Sequence, residues 1–200
     1  MTTFYRVIRI IATLPIRSFF RMRYKDMDKL PKEGGLIICA NHISFLDAFF
    51  LSVALRRQVF YMGKDELFRI PVLRAIIKGV GAFPVKRGAA DRSSLERASE
   101  IIREGKILGL FPEGTRSKTG ELQRFKSGAA MLAGKLRADI VPVSISCSKN
   151  RVRPFKRIYV TMGDVIPYQA LGLEKGTASE LRAASALIME KVRELMPENM

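Results

Sequence analysis

Short, unbroken apolar runs return along the chain, and between them lie segments whose apolar residues recur every three or four positions. This alternation constrains the fold most, because a strand apolar on both faces has to be covered by helices on both sides. Leu36–Ala40, set behind Pro31 and the Gly34-Gly35 turn, is such a run, and Val59–Met62, Ala82–Val85, Ile107–Phe111, Ile140–Ile145 and Arg157–Met162 are read as further strands. Helices are expected at Ala48–Leu55, Phe68–Val80 and Ser127–Leu136, and behind the capping boxes Ser93-Ser94-Leu95-Glu96 and Thr177-Ala178-Ser179-Glu180. The last helix carries Leu181, Ala184, Ile188, Val192 and Leu195 at helical spacing and is closed by Pro197. The expected architecture over 26–200 is a single α/β domain with a central mixed, largely parallel sheet flanked by helices. No repeat, low-complexity tract or linker divides the 200 residues, and an apolar content of 48% supplies a core.

Charge points to the partner. Lysine and arginine number 35 against 19 acidic residues, a net charge of +16, which suits an anionic surface: phospholipid, nucleic acid or a phosphorylated substrate. Composition does not choose among them. Residues 1–25 hold Arg6, Arg9, Arg17, Arg21, Arg23 and Lys25 and no carboxylate. On a helical wheel Phe4, Val7, Ile8, Ile11 and Leu14 share a face opposite Arg6 and Arg9, the pattern of a helix lying in a membrane interface. Pro15 is expected to break this segment into two short helices, the second carrying Phe19, Phe20 and Met22. The competing reading is an ordinary amphipathic helix packed on the core. Arg9 and Arg17 close the Ile10–Ile16 stretch well short of the roughly 18–20 apolar residues that cross a bilayer. No secretory cleavage pattern is present. Cys39, Cys147 and His42 are too few for a disulfide framework or a common zinc site, so no metal is expected and the cytoplasmic side is.

The lone histidine follows a buried strand, in Asn41-His42-Ile43-Ser44-Phe45-Leu46-Asp47, where open α/β folds place functional loops. A five-residue spacing would set His42 and Asp47 about 140° apart on a continuous helix, so they meet only if His42 lies in the loop before the first turn. If they meet, Asp47 fixes the imidazole tautomer and leaves the second ring nitrogen to take a proton from a hydroxyl. Ser44 to Asp47 also matches a capping box, in which Asp47 serves the helix and His42 is a turn residue. A second constellation, Phe111-Pro112-Glu113-Gly114-Thr115-Arg116-Ser117, follows the Ile107–Phe111 strand. Its Pro112 and Gly114 shape a turn. Arg116 offers a planar fork for phosphate oxygens, and Glu113 could hold that fork or a substrate hydroxyl. The same residues also suit a plain surface turn.

Asn41-His42 with Asp47, Gly81 to Arg87, Phe111 to Ser117 and Val141-Pro142-Val143-Ser144 together resemble, in order and approximate spacing, the four sequence blocks of the glycerolipid acyltransferase family. The resemblance covers roughly 36–145. It implies that His42 is a general base oriented by Asp47, and that Glu113, Gly114, Thr115 and Arg116 bind the glycerol-phosphate part of an acceptor. Arg87 and Lys64 would add cations for the same phosphate. Asn41, Gly81, Phe111, Pro112, Val141 and Pro142 would support the site. The implied reaction moves a fatty acyl group from acyl-CoA or acyl carrier protein to the sn-2 hydroxyl of lysophosphatidic acid, giving phosphatidic acid without a cofactor. It would take place at an anionic membrane surface, on the cytoplasmic face, through peripheral or monotopic attachment. Glycerol-3-phosphate or another lysophospholipid are alternative acceptors. A non-catalytic basic module is a further alternative, but it leaves His42, Asp47 and the 113–116 group without a reason, and no nucleic-acid motif accompanies it.

Overall fold

The structure, a computed structural model, describes residues 3–79, 81–85, 92–147 and 151–197. Seven strands form one sheet in the order β1-β7-β6-β2-β5-β3-β4. These are β1 (Arg21–Lys25), β2 (Leu36–Ala40), β3 (Val59–Lys64), β4 (Ala82–Val85), β5 (Ile107–Leu110), β6 (Asp139–Cys147) and β7 (Arg157–Met162). Every pairing is parallel except that of β6 with β7. The mixed, largely parallel sheet expected from the apolar runs is therefore present. The helices are α1 (Thr3–Phe19), α2 (Asp47–Ala54), α3 (Pro71–Gly79), α4 (Arg92–Arg103), α5 (Gly128–Leu136) and α6 (Ala178–Arg193).

The sheet has a core on each face, as a parallel sheet requires. On one face Ile38, Tyr61, Val143 and Val160 pack with Ile16 and Phe20 of the N-terminal segment and with Phe50, Leu51 and Val53 of α2. On the other, Ile37, Leu108 and Ile140 pack with Ala98 and Ile101 of α4, Ala129 to Ala133 of α5, and Ala184 and Ile188 of α6. The small residues of α5 let it lie close to the strands. Helix α6 starts as its sequence dictates: Thr177 caps Glu180 N–H while the Glu180 carboxylate reaches back to the Thr177 N–H.

The N-terminal segment differs from expectation. It is not two helices about Pro15 but one helix, α1, followed by strand β1. Pro15 and Ile11 both lie on the exposed side of α1, so the Ile11 carbonyl that loses its partner faces outward rather than into the core. Arg21-Met22-Arg23-Tyr24-Lys25 alternates with a period of two, and Met22 and Tyr24 turn to the core while the cations face out. That is the pattern of a half-buried edge strand whose charges block further pairing. Two smaller shifts follow local chemistry. The Phe68–Val80 helix begins only at Pro71, after a 3₁₀ turn over Asp65–Arg69, because proline is favoured in a first helical turn. Helix α4 already includes Ser93 rather than starting behind it.

Candidate active site at the carboxyl edge of the sheet

Strands β2, β5, β3 and β4 are neighbours and parallel, so their carboxyl ends gather segments that are far apart in sequence. His42 follows β2, Phe111 to Ser117 follow β5, and Lys64 ends β3. Arg87 follows β4 but lies outside the described residues.

The chain leaves β2 through Asn41. Its buried amide mimics a strand residue, donating to the Ile145 carbonyl at 2.8 Å and accepting from the Ile145 N–H at 2.7 Å. This extends the β2–β6 ladder by side chain and frees the backbone at His42 to turn. Helix α2 starts at Asp47, and His42 stands in the loop before it, which is the arrangement needed for the two to meet. They do meet: His42 Nδ1 lies 2.7 Å from Asp47 Oδ2. The same oxygen accepts from the Ile43 and Ser44 N–H groups at 2.7 and 2.8 Å. Asp47 thus serves both the histidine and the helix start, and the two sequence readings are compatible. With two backbone donors already on Oδ2, the imidazole donates from Nδ1 and leaves Nε2 free to accept a proton. Burial raises the Asp47 pKa, opposed first by the His42 hydrogen bond and charge and then by the two N–H groups.

The His42 ring stacks on Phe111 with centroids 4.2 Å apart and planes 18° apart, and Tyr61 stacks beyond Phe111 at 6.1 Å. The ring is held on one face by an aromatic wall and at one nitrogen by a carboxylate, while its side chain remains 21% exposed. It opens on a cavity of about 680 Å³. Gly114, Thr115 and Arg116 line this cavity, as does Lys64. Apolar walls come from Phe45, Phe49, Leu67, Ile77 and Leu132. Such a combination of an apolar cleft with a few convergent polar groups is the form of a small-molecule site.

Glu113 stands apart from its neighbours in the turn. It does not line the cavity, is 3% exposed, and accepts the His42 N–H on Oε1 at 2.8 Å. From the same turn the Ser117 N–H donates to the His42 carbonyl at 2.7 Å. Both backbone polar groups of His42 are therefore tied to the 111–117 turn. Burial pushes the Glu113 carboxyl up to about 7, with the His42 and Gln123 N–H groups pulling it down and the Asp47 charge adding to the rise. Sequence reasoning also missed Lys126. Its N–H donates to the Pro112 carbonyl at 2.9 Å, it lines the cavity, and its Nζ would lie 2.9 Å from a Cβ at Gly114. Gly114, at φ +74°, leaves the room this ammonium occupies. A lone lysine before a helix carries no signal on its own; only the fold brings it over the turn.

The remaining motif residues support the frame. Val141 and Pro142 are buried in β6 opposite Ile38 and Cys39 and do not line the cavity. Gly81, at φ +83°, lets β4 begin beside β3, and its carbonyl accepts the Tyr61 N–H at 3.2 Å. Pro112 sets the turn whose Gly114 N–H closes on the Phe111 carbonyl at 3.0 Å. Among the described residues no group of histidine, cysteine and carboxylate side chains could hold a metal ion.

Several known proteins are similar to this chain. A 1-acyl-sn-glycerol-3-phosphate acyltransferase of Bacillus subtilis is 30% identical over 173 residues, covering 85% of this chain and 85% of its own length. The chloroplastic 1-acyl-sn-glycerol-3-phosphate acyltransferase LPAT1 of Arabidopsis thaliana is 30% identical over 142 residues, 70% of this chain. The chain spans only 40% of that longer relative. The solved structure of the 1-acyl-sn-glycerophosphate (LPA) acyltransferase PlsC from Thermotoga maritima shares the fold, with a TM-score of 0.74 at 23% identity over 96% of this chain and 79% of that one. The model of the family described as Acyltransferase matches residues 21–146, from β1 through β6 and so across the whole carboxyl-edge site; the chain belongs to the acyltransferase family.

Proposed function

We propose that the chain transfers a fatty acyl group from a thioester, acyl-CoA or acyl carrier protein, to the sn-2 hydroxyl of 1-acyl-sn-glycerol-3-phosphate, giving phosphatidic acid. The observation that carries this reading is the His42–Asp47 pair at 2.7 Å, its ring open to a cavity lined by Lys64, Arg116 and Lys126. Nε2 of His42 takes the proton of the acceptor hydroxyl as its oxygen attacks the thioester carbonyl. The new C–O bond forms, the C–S bond breaks, and the departing thiolate recovers the proton from the imidazolium, which Asp47 stabilises meanwhile. The thioester brings its own leaving group, so no acyl-enzyme is needed. Arg116, Lys64 and Arg87, with the 114–115 backbone, hold the acceptor phosphate; the planar guanidinium suits its oxygens. The apolar walls receive acyl chains.

The N-terminal helix anchors the enzyme at the anionic cytoplasmic face of the membrane. Val7, Ile10, Ile11 and Leu14 stand exposed along α1, Leu14 at 72%, and Arg6, Arg17 and Arg21 lie exposed on the same segment. A membrane interface satisfies both sets. Among the described residues no helix is long and apolar enough to cross a membrane. The decisive assay gives purified protein each thioester donor with lysophosphatidic acid, glycerol-3-phosphate and lysophosphatidylcholine, with products identified by mass. Lysophosphatidic acid is expected to be the preferred acceptor. His42→Ala is expected to lose roughly 10²–10⁴ in kcat, with unchanged circular dichroism; transfer at the parental rate would refute the assignment.

A further inference from the structure

One exposed aromatic pair has no part in the site. Phe19, at the end of α1, and Phe155, just before β7, place their ring centroids 5.9 Å apart. They are 50% and 63% exposed. Phe155 is held there at a cost. Its φ is +63°, a left-handed conformation rare for a bulky residue, and its N–H donates to the Phe19 carbonyl. The fold thus fixes two phenyl rings outward, and hydration alone gives no return for it.

Cations flank the pair along the chain. Arg21, Arg151, Arg153, Lys156 and Arg157 are all exposed. Among the described residues no carboxylate forms an ion pair with any of them. Arg21 and Arg157 are register partners on adjacent strands, where like charges repel unless an anion lies between or above them. Topology then fixes where the cluster stands. Strand β7 runs antiparallel to β6, and β6 parallel to β2. The starts of β7 and of its parallel neighbour β1 therefore lie at the same carboxyl edge as His42. Three strand spacings separate β1 from β2, or about 14 Å.

We propose that Phe19 and Phe155, with the Arg21, Arg153, Lys156 and Arg157 cluster, form a second lipid-contact surface, which inserts two aromatic rings among anionic headgroups and lays the carboxyl edge of the sheet against the bilayer. The proposal rests on the membrane reading of α1 given above. The headgroup region is the environment that offers phosphate to guanidinium and an apolar layer to phenyl rings within one side-chain length. A site facing the bilayer at this edge receives a lipid acceptor without drawing it fully into water.

The test uses the full chain and vesicles of phosphatidylcholine with and without phosphatidylglycerol. The protein has no tryptophan, so Phe155→Trp creates a single reporter. Its emission is expected to shift to the blue on phosphatidylglycerol vesicles. Phe155→Ser is expected to weaken vesicle binding about tenfold, with turnover of a short-chain, water-soluble lysophosphatidic acid unchanged. Leu14→Ser reads α1 separately. If Phe155→Trp emission stays constant and Phe155→Ser binds like the parent while Leu14→Ser is lost from vesicles, the second surface is refuted and the α1 anchor stands. If Leu14→Ser also binds like the parent, the membrane reading itself fails. If Phe155→Ser keeps its vesicle affinity but loses affinity for acyl carrier protein, the cluster serves an acidic protein and the lipid proposal is overturned.

Discussion

A histidine placed in a loop has no fixed direction, and this one is held by four contacts: Asp47 at Nδ1, Phe111 on the ring face, and Glu113 and Ser117 on its backbone. Three of the four belong to the 111–117 turn, which also presents Arg116 to the cavity. Glu113 was expected among the phosphate ligands, yet it is buried and accepts the His42 N–H, and we propose that it positions His42. The two roles differ in kinetics. Loss of a phosphate ligand raises the KM for the acceptor, whereas loss of a brace on the base lowers kcat. Glu113→Ala is therefore expected to cut kcat at least tenfold with the acceptor KM little changed, and Glu113→Gln, which keeps the Oε1 acceptor, to retain most of it. A raised acceptor KM in Glu113→Gln at constant kcat would return the residue to the phosphate. Stability carries a second signature. Because the folded pKa of about 7 lies above the ordinary glutamate value of 4.5, the folded state holds the proton more tightly than the unfolded one. The associated stability is complete below pH 4.5 and is lost as pH rises through about 7. Denaturant unfolding at pH 5 and pH 8 should show a decline on the order of 1–3 kcal/mol in the parent, and a flatter profile in Glu113→Gln.

At the scale of elements, much of the molecule is written locally. The α6 capping box, the buried runs of β2, β5 and β6 and the His-to-Asp spacing before α2 each follow from residues close in sequence, and each is found where those residues place it. What local pattern does not carry is which elements become neighbours. Lys126 reaches the 111–117 turn through its N–H on the Pro112 carbonyl, and Tyr61 backs Phe111 because β3 pairs with β5. The second short helix expected beyond Pro15, carrying Phe19, Phe20 and Met22, is instead the end of α1 followed by strand β1, because Arg21–Lys25 alternates with the period of a strand. Gly81 shows a motif residue whose reason is steric rather than chemical. A Cβ there would lie 2.5 Å from the Val59 carbonyl oxygen, on a backbone with φ +83°. Gly172, at φ +63°, has nothing within 4 Å. Gly172→Ala should cost about 1–2 kcal/mol, the penalty of the left-handed backbone alone. Gly81→Ala should cost clearly more and loosen the β3–β4 pairing beside Lys64, as read from denaturant midpoints and from hydrogen exchange at the Tyr61 amide. Equal costs at the two sites would mean that β4 shifts freely and that the close approach is unimportant.

The whole molecule is polarised along its strands. One edge carries His42, Arg116, the cavity and the Phe19–Phe155 cluster; the other carries the turns that enter β2, β3, β4, β5 and β6. There Arg57 closes the entry to β2 by donating to the carbonyls of Pro31, Gly34 and Gly105. Strand β2, at five residues, sets the edges about 16 Å apart, more than the depth of a headgroup layer to which an interfacial helix sinks. On the proposed reading the acceptor is a membrane lipid, so the edge with the base is the one that touches the bilayer, and the exposed apolar residues of α1 and of the second aromatic cluster suit that orientation. Single tryptophans then report it. Placed at Phe45, on the exposed rim of the cavity, or at Leu14 on α1, the indole should be quenched by vesicles that carry brominated acyl chains. At Glu33 or Glu104, both exposed at the opposite edge, it should not be. The contrast should vanish when the vesicles lack anionic lipid, because the cations at the active edge provide the attraction that orients a chain of net charge +16. Quenching at Glu33 equal to that at Phe45 would mean that the protein lies on its side, and that the lipid has to leave the bilayer before the imidazole can reach its hydroxyl.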